Sequence, residues 1–159
     1  MIHIDHDLIL PLITKAKELP RKRINNNFHK VMSDPFQRML NCMEPETYCQ
    51  PHRHIIAMKR EVFLILEGRA LVLEFDDEGR IVDTIILDRS KCNFGAEIPA
   101  GKWHTVIALE KSTVIFECKD GPYDPATDKE FATWAPAERD ENCPAYNAGI
   151  LNKLNIIQE

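Results

Sequence analysis

The sequence predicts a mainly β protein, a sandwich or barrel with one helix before it and an irregular extension after it, on three observations. From Phe36 to about Cys118, short apolar runs alternate with turn residues, the spacing of strands in an all-β domain. Ahead of them Leu8, Ile9, Leu12, Ile13, Ala16 and Leu19 recur at helical intervals. Behind them, residues 119–144 are rich in proline and turn formers, the composition of a loop-rich segment that covers or extends a barrel.

The elements follow in order. The helix runs over about 5–19, with Asp5 or Asp7 able to cap its start, Pro11 near the first turn and Pro20 closing it. Strands are expected over 36–43, 62–66, 70–75, 81–87, 97–98, 103–109 and 113–118. Residues 76–80, Asp-Asp-Glu-Gly-Arg, form a polar hairpin turn between two of them. The final apolar stretch, 150–157, suits a short helix or an edge strand. One domain over 1–159 is expected, divided into helix and arm (1–35), barrel core (36–120) and extension (121–159). At 159 residues with 44% hydrophobic composition, one sizeable core can be buried.

Charge and cysteine usage narrow the function. A net charge of -5 argues against nonspecific nucleic-acid binding, which needs dense positive charge to neutralise phosphates. No apolar run approaches the ~20 residues that span a bilayer, and the opening Met1-Ile2-His3-Ile4-Asp5 lacks the basic segment of a signal peptide, so a cytoplasmic location is expected. The five cysteines are odd in number and lack Cys-x-x-Cys spacing, which fits reduced thiols better than a disulfide framework. Cys49 stands three residues before His52 and, in an extended chain, would face away from it.

The chemistry-bearing pattern is His52-x-His54, then Glu61, Gly68 and Pro99-x-Gly101-x-x-His104. Side chains two apart in a strand leave the same face, so both imidazoles of His52 and His54 point one way. His104, after a Pro-x-Gly turn and at the head of an apolar run, can return on a neighbouring strand as a third nitrogen ligand. Glu61 opens the run Glu61-Val62-Phe63-Leu64-Ile65-Leu66; strand phase puts it on the face of Phe63 and Ile65, where it completes a site. The other reading of Glu61 is a solvated loop-end carboxylate near Lys59 or Arg60, leaving a three-histidine site.

These motifs resemble those of the cupin superfamily, in which His-x-His, a glutamate and a glycine form one motif and Pro-x-Gly-x-x-His the core of the second. Six residues separate His54 from Glu61, longer than the usual three or four, and Asn93 and Ala108 replace the second motif's glycine and asparagine. With Arg21-x-Arg23-x-Asn25-x-Asn27-Phe28-His29, Gln37-Arg38-Met39-Leu40, Gly121-Pro122-Tyr123-Asp124-Pro125 and Trp134-Ala135-Pro136-x-Glu138, the chain is similar to the WbuC-type cupin-fold metalloproteins over roughly residues 21–138. The resemblance implies a double-stranded β-helix, or jelly-roll barrel. It implies a bacterial protein associated with O-antigen or other surface polysaccharides, with a metal held by His52, His54, Glu61 and His104.

Imidazole and carboxylate ligands suit Fe, Mn, Ni or Zn. Arg23, Asn25, Asn27 and His29 alternate and so share a face; Arg23, Asn25 and His29, with Arg38, are candidate binders of a sugar or other oxygen-rich anion. Arg38 and Gln37 lie on opposite faces of one strand, so only one can enter a barrel. Three functions fit. The first is a metal-dependent isomerase or epimerase of a sugar or nucleotide sugar; the second is a non-haem Fe(II) dioxygenase; the third is a sugar- or metal-binding module without turnover. Pairing through edge strands makes a homodimer the expected assembly.

Overall fold

The computed structural model describes residues 1–55 and 58–158. It consists of two five-stranded antiparallel sheets facing one another, the jelly-roll barrel expected of a cupin, with a helix on each outer face. One sheet has the order β1 (Arg23–Asn27), β2 (Phe36–Met43), β9 (Thr113–Asp120), β4 (Glu61–Glu67), β7 (Gly95–Ile98). The other runs β10 (Glu130–Phe131), β3 (His52–Arg53), β8 (Trp103–Ala108), β5 (Arg69–Phe75), β6 (Ile81–Asp88). β4 and β5 are joined through Gly68 at φ +68, where a Cβ would lie 2.5 Å from Thr113 Oγ1, so both conformation and space call for glycine.

Period-two alternation sorts the side chains. Phe63 and Ile65 of β4, Ala70 and Val72 of β5, Ala108 of β8 and Ile115 of β9 fill one end of the barrel with Met43, Leu87 and Ile98. Leu71, Leu73 and Phe75 point outward instead, onto Ala132, Ala135, Ile150 and Leu151 of the C-terminal segment. Leu40, Cys42 and Val114 point outward from the first sheet onto Ile9, Ile13 and Ala16 of helix α1 (His6–Glu18). An isolated helix of that length is marginal in water. Burial of its two isoleucines, about 1.5–3 kcal/mol each, anchors it, and Asp5 caps it by accepting from the Leu8 N–H at 3.1 Å.

Two details differ from the sequence reading. Pro11 lies inside α1, beyond the first turn, at a solvent-exposed position where the bond it cannot donate costs least. The C-terminal helix α2 spans Cys143–Leu154, so the apolar stretch from Ile150 is its second half and Pro144 begins it instead of preceding it. No described helix is long and apolar enough to cross a membrane.

Candidate metal centre and its cavity

At the barrel end opposite the apolar plug, the inward-facing positions turn polar. Along β4, Ile65 and Phe63 give way to Glu61; along β9, Ile115 gives way to Glu117 and Lys119, which the register sets against Phe63 and Glu61. On the opposing sheet His104 of β8 pairs with His52 of β3. The structure thus brings His52, His54, Glu61 and His104 together, one ligand atom from each lying within 4.8 Å of the others. All four are buried. Glu61 shares its face with Phe63 and Ile65 despite the long connection from His54, which includes residues 56 and 57 outside those described.

The hydrogen bonds decide the ring tautomers. His52 Nδ1 lies 3.0 Å from the Gln50 carbonyl, His104 Nδ1 lies 2.8 Å from the Lys102 carbonyl, and His54 Nδ1 contacts the Asp128 carbonyl. A carbonyl oxygen can only accept, so each Nδ1 carries a hydrogen and each ring turns its Nε2 inward, where a neutral imidazole presents a lone pair. His52 Nε2 and His54 Nε2 are buried with no hydrogen-bond partner among the described residues. His104 Nε2 lies 2.7 Å from Glu61 Oε2 and His54 Nε2 lies 3.3 Å from Glu61 Oε1. Acceptors so close require a proton or a cation between them. Three imidazole nitrogens and a carboxylate are the donor set of a divalent transition metal, and the group can hold one.

The electrostatics agree. Burial, reinforced by the charge of Lys129, holds His52 well below the usual imidazole range, so its ring is neutral as a ligand must be. Burial alone would raise Glu61, but its contacts with His104 and His54 prevail and hold it well below the usual carboxylate range. Behind Glu61 is a buried charge cluster. Asp128 binds Lys59 Nζ at 2.5 Å and Lys119 Nζ at 2.7 Å, and Lys119 Nζ also lies 3.7 Å from Glu61 Oε1. Burial works against the Lys119 charge, yet Glu61 and Asp128 raise its pKa above the ordinary lysine value.

Beside the four-residue group opens a cavity of about 510 Å³, within the range of small-molecule sites. Glu117 lies in its wall against Glu61, and burial together with the Glu61 charge pushes its carboxyl up to about 7. Asn41 Nδ2 donates to Glu117 Oε2 and Asn25 Nδ2 donates to Asn41 Oδ1 at 2.5 Å, so the two amides fix the acid from the mouth inward.

Of the residues expected to bind ligand, Arg23, Asn25 and His29 line this cavity. Arg23 is held at 2.8 Å by the Tyr48 carbonyl and at 2.5 Å by Glu138, and His29 Nδ1 accepts from the Arg38 backbone N–H at 3.1 Å. Arg38 is a correction. Its strand turns Gln37, Met39 and Asn41 toward the cavity and sends the Arg38 guanidinium to the outer side, against Asp34 at 3.1 Å and over the Phe36 ring. Cys49 is another: it precedes β3 outside any strand, so alternation does not govern it, and it lines the cavity with Arg23 Nη1 2.5 Å from its sulfur.

Sequence reasoning missed Glu117, Lys119, Asp128 and Lys129. The one available signal was that Glu117 and Lys119 share the phase of Ile115, whereas the apolar Val114 and Phe116 occupy the other face; alternation alone did not say which face was the interior.

A family model described as a domain of unknown function (DUF6016) matches residues 4–87. No curated protein matches the chain. Among solved structures, the capsular polysaccharide assembling protein CapF from Staphylococcus aureus is similar at 21% identity and a TM-score of 0.56, over 69% of this chain and 34% of CapF. TT1209 from Thermus thermophilus is similar at 19% identity and a TM-score of 0.55, over 76% of this chain and 97% of that one. Oxalate oxidase in complex with the substrate analogue glycolate is similar at 12% identity and a TM-score of 0.56, over 88% of this chain and 69% of that one. The chain spans about a third of the length of CapF. At these identities the likeness is one of fold.

Proposed function

The chain belongs to the family described as a domain of unknown function (DUF6016), and from that premise we propose that it is a metal-binding cupin of the WbuC type. In this reading it acts on a sugar or nucleotide sugar by isomerase- or epimerase-type proton transfer, in the synthesis of bacterial surface polysaccharide. The observation that carries the reading is the convergence of three inward ring nitrogens and one carboxylate beside a further, half-buried acid, Glu117, in the wall of a polar cavity. The fold likeness to CapF, a protein of capsular polysaccharide assembly, supports the polysaccharide setting.

His52, His54, Glu61 and His104 would hold the ion. A divalent ion bound there supplies Lewis-acid polarisation of a substrate carbonyl or hydroxyl. The remaining steps belong to the chain. Glu117, fixed by Asn41, removes the proton from the carbon next to the polarised group and returns it to the neighbouring carbon. The Asn25 and Asn41 amides orient substrate hydroxyls at the mouth. Lys119 faces Glu61 at 3.7 Å from behind the group.

Elemental analysis of untagged protein tests the premise: about one equivalent of a transition metal, lost in the His52→Ala, His54→Ala double variant. A panel of nucleoside diphosphate sugars incubated in D2O tests the reaction. Enzyme-dependent incorporation of deuterium at carbon, abolished by Glu117→Gln with metal content retained, is expected. Consumption of O2 in place of exchange would overturn the isomerase reading.

A further inference from the structure

One charged side chain in the cavity wall has no counterpart among the described residues. Glu138 is shared by Arg21 and Arg23, and Lys119 faces Glu61 and Asp128. Lys129 lines the same cavity but makes no hydrogen bond or ion pair with any described residue. Its position is nonetheless fixed on both sides. Asp128 is pinned inward by two lysines, and its carbonyl holds His54; Glu130 is fastened outside by Arg53 at 3.0 Å; Phe131 pairs with His52. Lys129 precedes β10 outside any strand; it is solvent-exposed and, with the half-exposed Phe131, lines the cavity. Lys129 shares the cavity lining with His52, Glu61 and Glu117.

The charge balance of the wall points the same way. Four basic side chains line it, Arg21, Arg23, Lys119 and Lys129, against three acids, Glu61, Glu117 and Glu138. The chain as a whole carries -5. A cavity positive within an acidic protein focuses anions, and a divalent cation in the four-residue group adds to that surplus.

Resting on the metal-site reading above, we propose that the cavity's ligand is an anionic polyol, a hydroxyl-rich compound bearing at least one oxyanion, and that Lys129 is the residue that selects it by holding that oxyanion. The hydroxyls then face Asn25 and Asn41 of the same wall. An unpaired ammonium is solvated at little cost when the cavity is empty and forms a charge-assisted bond when the anion arrives. Sugar acids and sugar phosphates both present this chemistry.

Isothermal titration of metal-loaded protein with glucuronate, glucose 1-phosphate and glucose tests the proposal, with metal content measured on each sample. At least one of the two anions is expected to bind about tenfold or more tightly than glucose, and which one binds tells carboxylate from phosphate. Lys129→Gln should weaken that anion roughly ten- to a hundredfold, the scale of one charge-assisted hydrogen bond, with metal content and glucose affinity unchanged. Equal affinity for glucose and both anions, no binding of either anion, or full affinity in Lys129→Gln would overturn it. Absence of metal in the wild type would instead overturn the metal-site reading, and the same titrations on metal-free protein would still decide the role of Lys129.

Discussion

Replacing Asp128 by asparagine isolates the buried charge cluster behind the metal group. Asp128 is 2% exposed, Lys59 3% and Lys119 5%, and the carboxylate binds the two ammonium groups at 2.5 and 2.7 Å. At an effective dielectric of ~20, each such contact is worth about 6 kcal/mol of Coulomb energy, most of it offset by the cost of taking the ions out of water. Removing one partner of a buried pair costs about 3–5 kcal/mol, because the remaining charge stays buried without compensation. Asparagine keeps the shape and one acceptor, and Glu61 still faces Lys119 at 3.7 Å, so Lys59, which keeps the Pro122 carbonyl but loses its counter-charge, is the charge left orphaned.

A loss of about 3–5 kcal/mol is a large share of the stability of a domain and corresponds to a fall in Tm of roughly 6–20 °C at this chain length. Urea denaturation at pH 7 measures it, and Lys59→Met in the Asp128→Asn background should recover part of the loss by removing the orphan. The pH dependence has a definite sign. Burial raises the Asp128 carboxyl, but the bonds from Lys119 and Lys59 prevail and hold it below its ordinary value. Its contribution is therefore present above the ordinary aspartate range and lost in acid, so the gap between wild type and variant narrows below a pH of about 4. A loss under about 1 kcal/mol at pH 7, or a gap that widens in acid, would refute the reasoning.

The remaining expectations concern single positions. His104→Ala removes one of the inward lone pairs and should weaken metal binding by about tenfold or more, read by competition with a chromophoric chelator, while the far-ultraviolet circular dichroism stays that of the wild type. Gly68→Ala forces a side chain into a left-handed turn 2.5 Å from Thr113 Oγ1 and should cost about 1–3 kcal/mol by denaturant titration. Arg38→Ala acts on the outer side of β2, so stability should change by no more than about 0.5–1 kcal/mol and ligand affinity measured by titration should not change.

What the sequence made legible was whatever depended on local phase. His52 and His54 share a face because they are two apart, and Glu61 joined them because its strand keeps step with Phe63 and Ile65, whatever the length of the loop before it. The strand runs were readable for the same reason. Identification of the inner face was not. On β9 the apolar Val114 and Phe116 look like core and the charged Glu117 and Lys119 like surface, yet Val114 and Phe116 pack toward α1 while Glu117 and Lys119 face the barrel interior. That inversion depends on a helix more than ninety residues away in sequence. Asp128 and Lys129 were hidden for a related reason: their roles come from a loop-rich segment whose position is set by tertiary contacts with Lys59, Lys119 and His54, and no local pattern encodes it. The beginning of α2 was obscured because Pro144 reads as a breaker, although proline is well suited to a first helical turn.

Each of the three histidines has its Nδ1 held by a peptide carbonyl. Backbone acceptors are present whatever residue occupies positions 50 or 102, so the orientation of His52 and His104 is insulated from substitution there. Mutational drift can then redraw the wall, through Asn25, Asn41 or Lys129, without turning an imidazole away from the centre. A scaffold of this kind separates the part of the molecule that grips an ion from the part that chooses a ligand. It offers a starting point for relatives, or for designed variants, that keep one chemistry and exchange its substrate.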